Sequence, residues 1–186
     1  TNTILTSVSN RDNVILSQLH LRKDKSFSIP TIQGDIRMSH NTTLYETVSH
    51  QTASAPYSLH YTEVRKDAEP ALYLHWHNEM EFLFLLEGDL LFHIEECSLL
   101  LHSGDGIFIP PGLLHYATSN SSEPVSFRAF VFSPELIFSS FETLAYNTYV
   151  LPIMHNNLSY ALVLYHSVPW HKNILHYLQQ IFHSET

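Results

Sequence analysis

Between residues 71 and 132 apolar residues come in short runs rather than at helical spacing. The runs are ALYLHWH (71–77), EFLFLLEG (81–88), DLLFHIE (89–95), CSLLLH (97–102), GIFIP (106–110) and PVSFRAFVF (124–132). Each has the length of an ordinary β-strand and ends in turn chemistry. Several are apolar at both parities, as strands are when a barrel interior lies on one side and a helix or second sheet on the other. A mainly β sandwich or barrel is predicted. Residues 44–64, rich in Tyr, Thr and His, predict one or two edge strands leading into it. Four of the five glycines, Gly88, Gly104, Gly106 and Gly112, fall in this centre beside Pro110 and Pro111, which marks turns and barrel corners.

After Pro134 the pattern becomes helical. Residues 142–154 predict one short helix interrupted at Pro152. The last segment predicts a better-defined helix, with Ser167 as cap, Pro169 in the first turn and a stripe of Trp170, Ile174, Leu178 and Ile181. Packing of that stripe on its own barrel is placed ahead of a dimer contact. The first forty residues are weakly patterned, with a short helix at 11–21 followed by Arg22, Lys23 and Lys25. The division that results is an N-terminal arm over 1–40, a barrel over 41–133 and a helical region over 134–186.

With 186 residues, 44% of them apolar, the chain can bury one sizeable core. Its longest apolar runs fall far short of the roughly 20 residues that cross a bilayer, and no basic-then-apolar leader opens it. A soluble, cytoplasmic protein without a membrane partner is expected. The single Cys97 cannot form a disulfide within the chain. The formal charge is −9, and from 67 to 127 there are ten carboxylates and neither Lys nor Arg. Such a segment repels phosphate backbones and tolerates a cation or a neutral ligand.

Candidate chemistry gathers in HWHNEME, His75 to Glu81. On a strand His75 and His77 project from one face, but Glu81 lies about 13 Å further along extended chain. Ligands with bonds near 2.1 Å must sit much closer together. The chain must therefore bend at Asn78, Glu79 and Met80, with Glu81 opening the next strand and His115 arriving from another. Three imidazoles and a carboxylate suit Zn, Ni, Fe or Mn, and equally suit a polar pocket that binds through hydrogen bonds. His93 and His102 are expected to face solvent or complete local hydrogen bonds. Trp76 should point away from the site and pack against a helix, and Cys97 should be a small turn residue.

The spacing of His75, His77, Glu81 and Gly88, followed by Gly104, Pro110, Gly112 and His115, resembles the two motifs of the cupin superfamily. Glu69 and Ser119 stand where that pattern usually has glycine and asparagine. The resemblance implies a double-stranded β-helix, or jelly-roll barrel, with His75, His77, Glu81 and His115 as metal ligands. LYETVSH (44–50), HWHNEMEFLFLLEG (75–88), GDGIFIPPGLLH (104–115) and PWHKNILHYLQQI (169–181) are similar, in this order, to the N-terminal sensing domain of AraC-type transcription regulators. That likeness implies a barrel binding a small effector, homodimerisation through the C-terminal helices, and DNA binding only through a separate helix-turn-helix domain expected after Thr186. In that family the same His and Glu often line the pocket without a metal, so a metal-free pocket is placed ahead of a bound ion.

Two functions stay open. One is a sensing and dimerisation module that binds a small polar effector, such as a sugar, at His75, His77, Glu81 and His115, with no catalytic residue. The other is a stand-alone metal-dependent enzyme of isomerase or dioxygenase type. The enzyme would need an orienting cation or an acid or base inside the barrel. Arg128 is the only nearby candidate.

Overall fold

A computed structural model describes residues 42–50, 55–65, 70–119, 123–138, 143–155 and 161–184, all within the unit Ser39–Thr186. The helix expected at 11–21 and the basic residues after it lie outside them. Two antiparallel sheets carry the structure. The first has five strands: β1 (Tyr57–Val64), β8 (Val125–Phe132), β3 (Met80–Glu87), β6 (Gly106–Ile109) and β9 (Leu162–Leu164), in that spatial order. The second has four: β2 (Leu72–His75), β7 (His115–Ser119), β4 (Asp89–Ile94) and β5 (Cys97–His102). This is the expected mainly β, jelly-roll architecture, and β1 is the edge strand foreseen before the core.

The double apolar parity of the strands is explained by two cores. Leu83 and Leu85 of β3, Leu90 and Phe92 of β4, Ile107 and Ile109 of β6 and Phe127 of β8 fill the space between the sheets. Met80 and Phe84 of β3 and Phe130 and Phe132 of β8 lie on the opposite face of the first sheet, against Leu164, Leu175, Leu178 and Phe182. Each fully buried side chain of this size contributes about 1.5–3 kcal/mol relative to exposure. Because successive residues on a strand alternate faces, β3 serves both cores. The β3–β4 turn is Gly88, with φ +80° and no room for a Cβ, which would lie 2.8 Å from the Pro124 carbonyl oxygen. Only glycine meets both conditions without strain.

The C-terminal region differs from its expectation in three elements. Leu162–Leu164 is a strand on the edge of the five-stranded sheet, paired with β6; three residues are too few to show a period in sequence. The helical run near 142–154 is not interrupted at Pro152. A wide π-helical turn, Tyr146–Val150, leads directly into a short helix, α1 (Leu151–Met154), and places Pro152 in the first α-turn, where its missing N–H costs least. The terminal helix, α2 (Pro169–His183), is capped by the extended Val168 rather than by Ser167. Its buried residues are His171, Leu175, Leu178 and Phe182. Of the predicted stripe, Leu178 is buried and Ile174 and Ile181 pack half-buried beside it, whereas Trp170 is 55% exposed and lies off the packed face. The helix does pack on its own barrel, close enough that a Cβ on Gly106 would lie 2.8 Å from Leu175 Cδ2.

Candidate metal centre

His75, His77, Glu81 and His115 converge, each offering a ligand atom, with all four atoms within 4.8 Å of one another. The chain turns between His77 and Met80, as the reach argument required, and β3 begins at Met80. Glu81 then shares parity with Leu83 and Leu85, which points it into the barrel. His75 ends β2 directly opposite His115, which begins β7, and their ring centroids are 4.2 Å apart. A register shift in this strand pair, between Leu72 and His75, re-aims the end of β2. Gly112, in the turn before β7, donates its N–H to the His77 carbonyl at 2.8 Å and so ties the two motifs together. Glu95 fixes the approach to His115 from the other side. Its side chain accepts from Leu114 N, and its own N–H donates to Leu114 O, both at 2.9 Å.

Each imidazole is oriented by a main-chain carbonyl. Nδ1 of His75 lies 2.7 Å from Tyr73 O, Nδ1 of His77 lies 3.1 Å from Glu79 O, and Nδ1 of His115 lies 2.8 Å from Leu113 O. A carbonyl only accepts, so Nδ1 carries the proton in all three, and in the neutral rings Nε2 presents a bare lone pair. Nε2 of His77 and of His115 lie 3.0 and 3.4 Å from Glu81 Oε2. The latter contact is not aligned as a hydrogen bond, and His115 Nε2 is a fully buried nitrogen without a partner. Lone pairs facing a buried carboxylate repel it unless a proton or a cation lies between them. Imidazoles held through Nδ1–H with Nε2 converging are the arrangement of a metal site whose outer partners set the tautomer. The donor set therefore fits a divalent ion.

Without an ion, protons have to relieve the same repulsion. Burial acts to raise the Glu81 pKa, but its close contacts with His115 and His77 and their charge outweigh it and hold the carboxyl far below its ordinary range. Burial acts to lower His77, yet the Glu81 partner leaves it raised above the ordinary imidazole value. His75 is lowered, by burial first and then by the charge of His115.

A second group of polar residues adjoins the cluster and was not assigned from sequence. The segment before β1 lies alongside Trp76, with Glu46 N donating to Trp76 O and Trp76 N to Leu44 O, both at 3.0 Å. This brings Glu46 Oε2 to 3.5 Å from His75 Nε2 and 2.8 Å from His50 Nε2. His50 Nδ1 in turn lies 3.2 Å from Ser58 Oγ. Burial raises the Glu46 carboxyl, but the His50 hydrogen bond and the charges of His75, His50 and His77 leave it below its ordinary value. LYETVSH was legible as a motif, but nothing in its spacing ties residue 46 to residue 75.

Other expectations are met or corrected individually. His93 pairs with Ser98 Oγ at 2.8 Å and His102 with Asp89 at 2.6 Å, both local hydrogen bonds. Cys97 is exposed beside the turn. Trp76 packs edge-on against Tyr45, at 4.8 Å. Arg128 does not enter the barrel. Its even parity on β8 points it to the outer face, where it donates to Phe182 O at 2.8 Å and lies over the Tyr61 and Phe182 rings.

Residues 62–132 match the family model described as the cupin domain, a stretch that holds β2 to β8 and all four residues of the cluster. Over 139 residues the chain is 34% identical to YdeC of Bacillus subtilis (strain 168), described as an uncharacterized HTH-type transcriptional regulator. The match takes in 74% of this chain and 46% of YdeC, so the chain spans about half the length of that relative. Among solved structures, a Cupin 2 conserved barrel domain protein from Salinispora arenicola CNS-205 is 19% identical, over 50% of this chain and 72% of that one, with a TM-score of 0.38. The cupin domain of Cnp3 from Schizosaccharomyces pombe is 11% identical, over 47% and 59%, with a TM-score of 0.41.

Proposed function

We propose that this chain is the ligand-sensing portion of a transcription regulator and that its pocket is built on a divalent metal ion held by His75, His77, Glu81 and His115. The observation that carries the metal is the outward tether of all three Nδ1 atoms, which leaves three Nε2 atoms and a buried carboxylate with no other common partner. This reverses the order given to the two readings in sequence, where the metal-free pocket came first. The bound ion would supply a fixed positive charge to which an oxygen or nitrogen of the effector attaches, and this chain's residues would hold and orient it. The relation to YdeC supports the regulator, with DNA binding assigned to a further domain and homodimerisation to α2. The enzyme reading loses the cation it called on, because Arg128 is engaged outside the barrel.

The test is a thermal-shift screen of the metal-loaded chain against small polar metabolites, sugars among them. A ligand at a hundred times its Kd is expected to add about 2.7 kcal/mol of stability. The shift should vanish in His75→Ala plus His115→Ala. Elemental analysis of protein purified without a nickel column should find about one ion per chain, lost in Glu81→Gln. Absence of any shift across the screen would overturn the sensing role; absence of the ion would overturn the metal.

A further inference from the structure

The cluster is not equally accessible on all sides. His115 is 0% exposed and His77 2%, whereas His75 reaches 14% and Glu46, beside it, 25%. A ligand approaching from solvent therefore meets Glu46 and His75 before the deeper residues. Glu46 is not one of the four converging groups. It is held to one side by His50, at 2.8 Å, and by the backbone pairing of its segment with Trp76. A carboxylate accepts several hydrogen bonds, so the His50 contact does not exhaust it.

Apart from the histidines, the charged side chains described around this opening are carboxylates. Glu46 and Glu81 together match the two charges of a divalent ion, and Glu79 adds another carboxylate with Oε2 3.9 Å from His77 Nδ1. Among the described residues the Lys and Arg side chains are Arg65, Arg128 and Lys172. Arg128 is committed to Phe182 on the outer face, while Arg65 and Lys172 are exposed at the end of β1 and on α2. An anion arriving at the ion would face Glu46 with no Lys or Arg among the described residues to offset it, and with His50, 2.8 Å from Glu46, offsetting it only when protonated.

We propose that Glu46, delivered from the segment preceding the barrel, determines which ligands the site accepts. The site takes an uncharged molecule that brings an O–H or N–H donor to Glu46, and it rejects carboxylates, phosphates and other anions. The assignment rests on the metal-centre reading, and its test separates the two. The chain is loaded with cobalt(II), whose visible absorption reports each ligand that reaches the ion, and titrated with azide and with imidazole. Azide is an anion; imidazole is neutral and carries an N–H.

The parent should bind imidazole in preference to azide. Glu46→Gln should tighten azide binding about tenfold, as removal of a partly screened charge at contact distance predicts, and weaken imidazole binding. Glu46→Asp should restore the parent's discrimination, and added salt should narrow the difference between parent and Glu46→Gln. An azide affinity in Glu46→Gln within about twofold of the parent's, with the cobalt spectrum intact, overturns the assignment and leaves the metal centre standing. Loss of cobalt in Glu46→Gln also overturns it, since Glu46 would then hold the ion rather than select its ligand. A parent chain that takes up no cobalt overturns the metal centre and this assignment with it.

Discussion

Glu81 is the residue on which the site's behaviour turns, because its buried charge has two alternative partners. Without metal the partner is protonated His77. The raised His77 contributes stability that is complete below the ordinary imidazole value of 6.5 and is lost as pH rises through its higher folded value. The depressed Glu81 contributes stability that is present above the ordinary carboxyl value of 4.5 and lost as pH falls toward its folded one. Metal-free protein should therefore be most stable between about 4.5 and 6.5 as far as this pair decides, with Tm falling above that window. With metal the dependence reverses at the upper end, because ligand histidines must be deprotonated. The stabilisation given by added zinc, read as ΔTm, should grow from pH 6 to pH 8. A ΔTm that is flat over this range would sink the shared-carboxylate account. Much of this residue's role is visible in sequence: the distance along extended chain demands a bend before Glu81, and its parity with Leu83 and Leu85 sends it inward. The same parity places Arg128 with Phe130 and Phe132 on the outer face, so its exclusion from the barrel is legible in the sequence as well.

At the level of elements, β3 and α2 form the second core, and the terminal helix shows where pattern reading stops. Its amphipathic character is plain in sequence, but the centre of its packed face is not. The predicted stripe of Trp170, Ile174, Leu178 and Ile181 shares Leu178 with the buried set and borders it at Ile174 and Ile181, so only Trp170 falls outside the packed face. That centre is set by what the helix meets, namely Gly106, which admits Leu175, and the outward Phe84 and Phe130. Leu175→Ala should cost about 2–5 kcal/mol in urea unfolding, whereas Trp170→Ala should cost less than about 1 kcal/mol. Equal costs would mean the helix packs on the other face. β9 is illegible in the sequence for a different reason. Leu162–Leu164 owes its strand to pairing with β6, a contact 50-odd residues away that no local window contains.

For the molecule as a whole, the jelly-roll was legible because short strands, turn glycines and two spaced motifs agree. The neighbourhood of the site was not, since Glu46 and His50 reach it through tertiary pairing with Trp76 and Ser58. No helix among the described residues is long and apolar enough to cross a membrane. The proposed homodimer would use the α2 face left uncovered by the barrel, where Trp170 and Tyr177 are 55% and 64% exposed. Sedimentation equilibrium should find a dimer that Trp170→Ala plus Tyr177→Ala converts to monomer without lowering Tm. A parent that is monomeric at tens of micromolar would remove α2 from that role.

The five-stranded sheet separates the two cores and is only one layer deep. Glu81 faces the cluster from one side of β3 while Met80 and Phe84 press on the helical layer from the other. A rigid strand cannot retreat from one neighbour without advancing on the other. The pocket and the helical layer therefore share a wall, and a ligand that moved that wall by a fraction of an ångström would be registered on both sides at once.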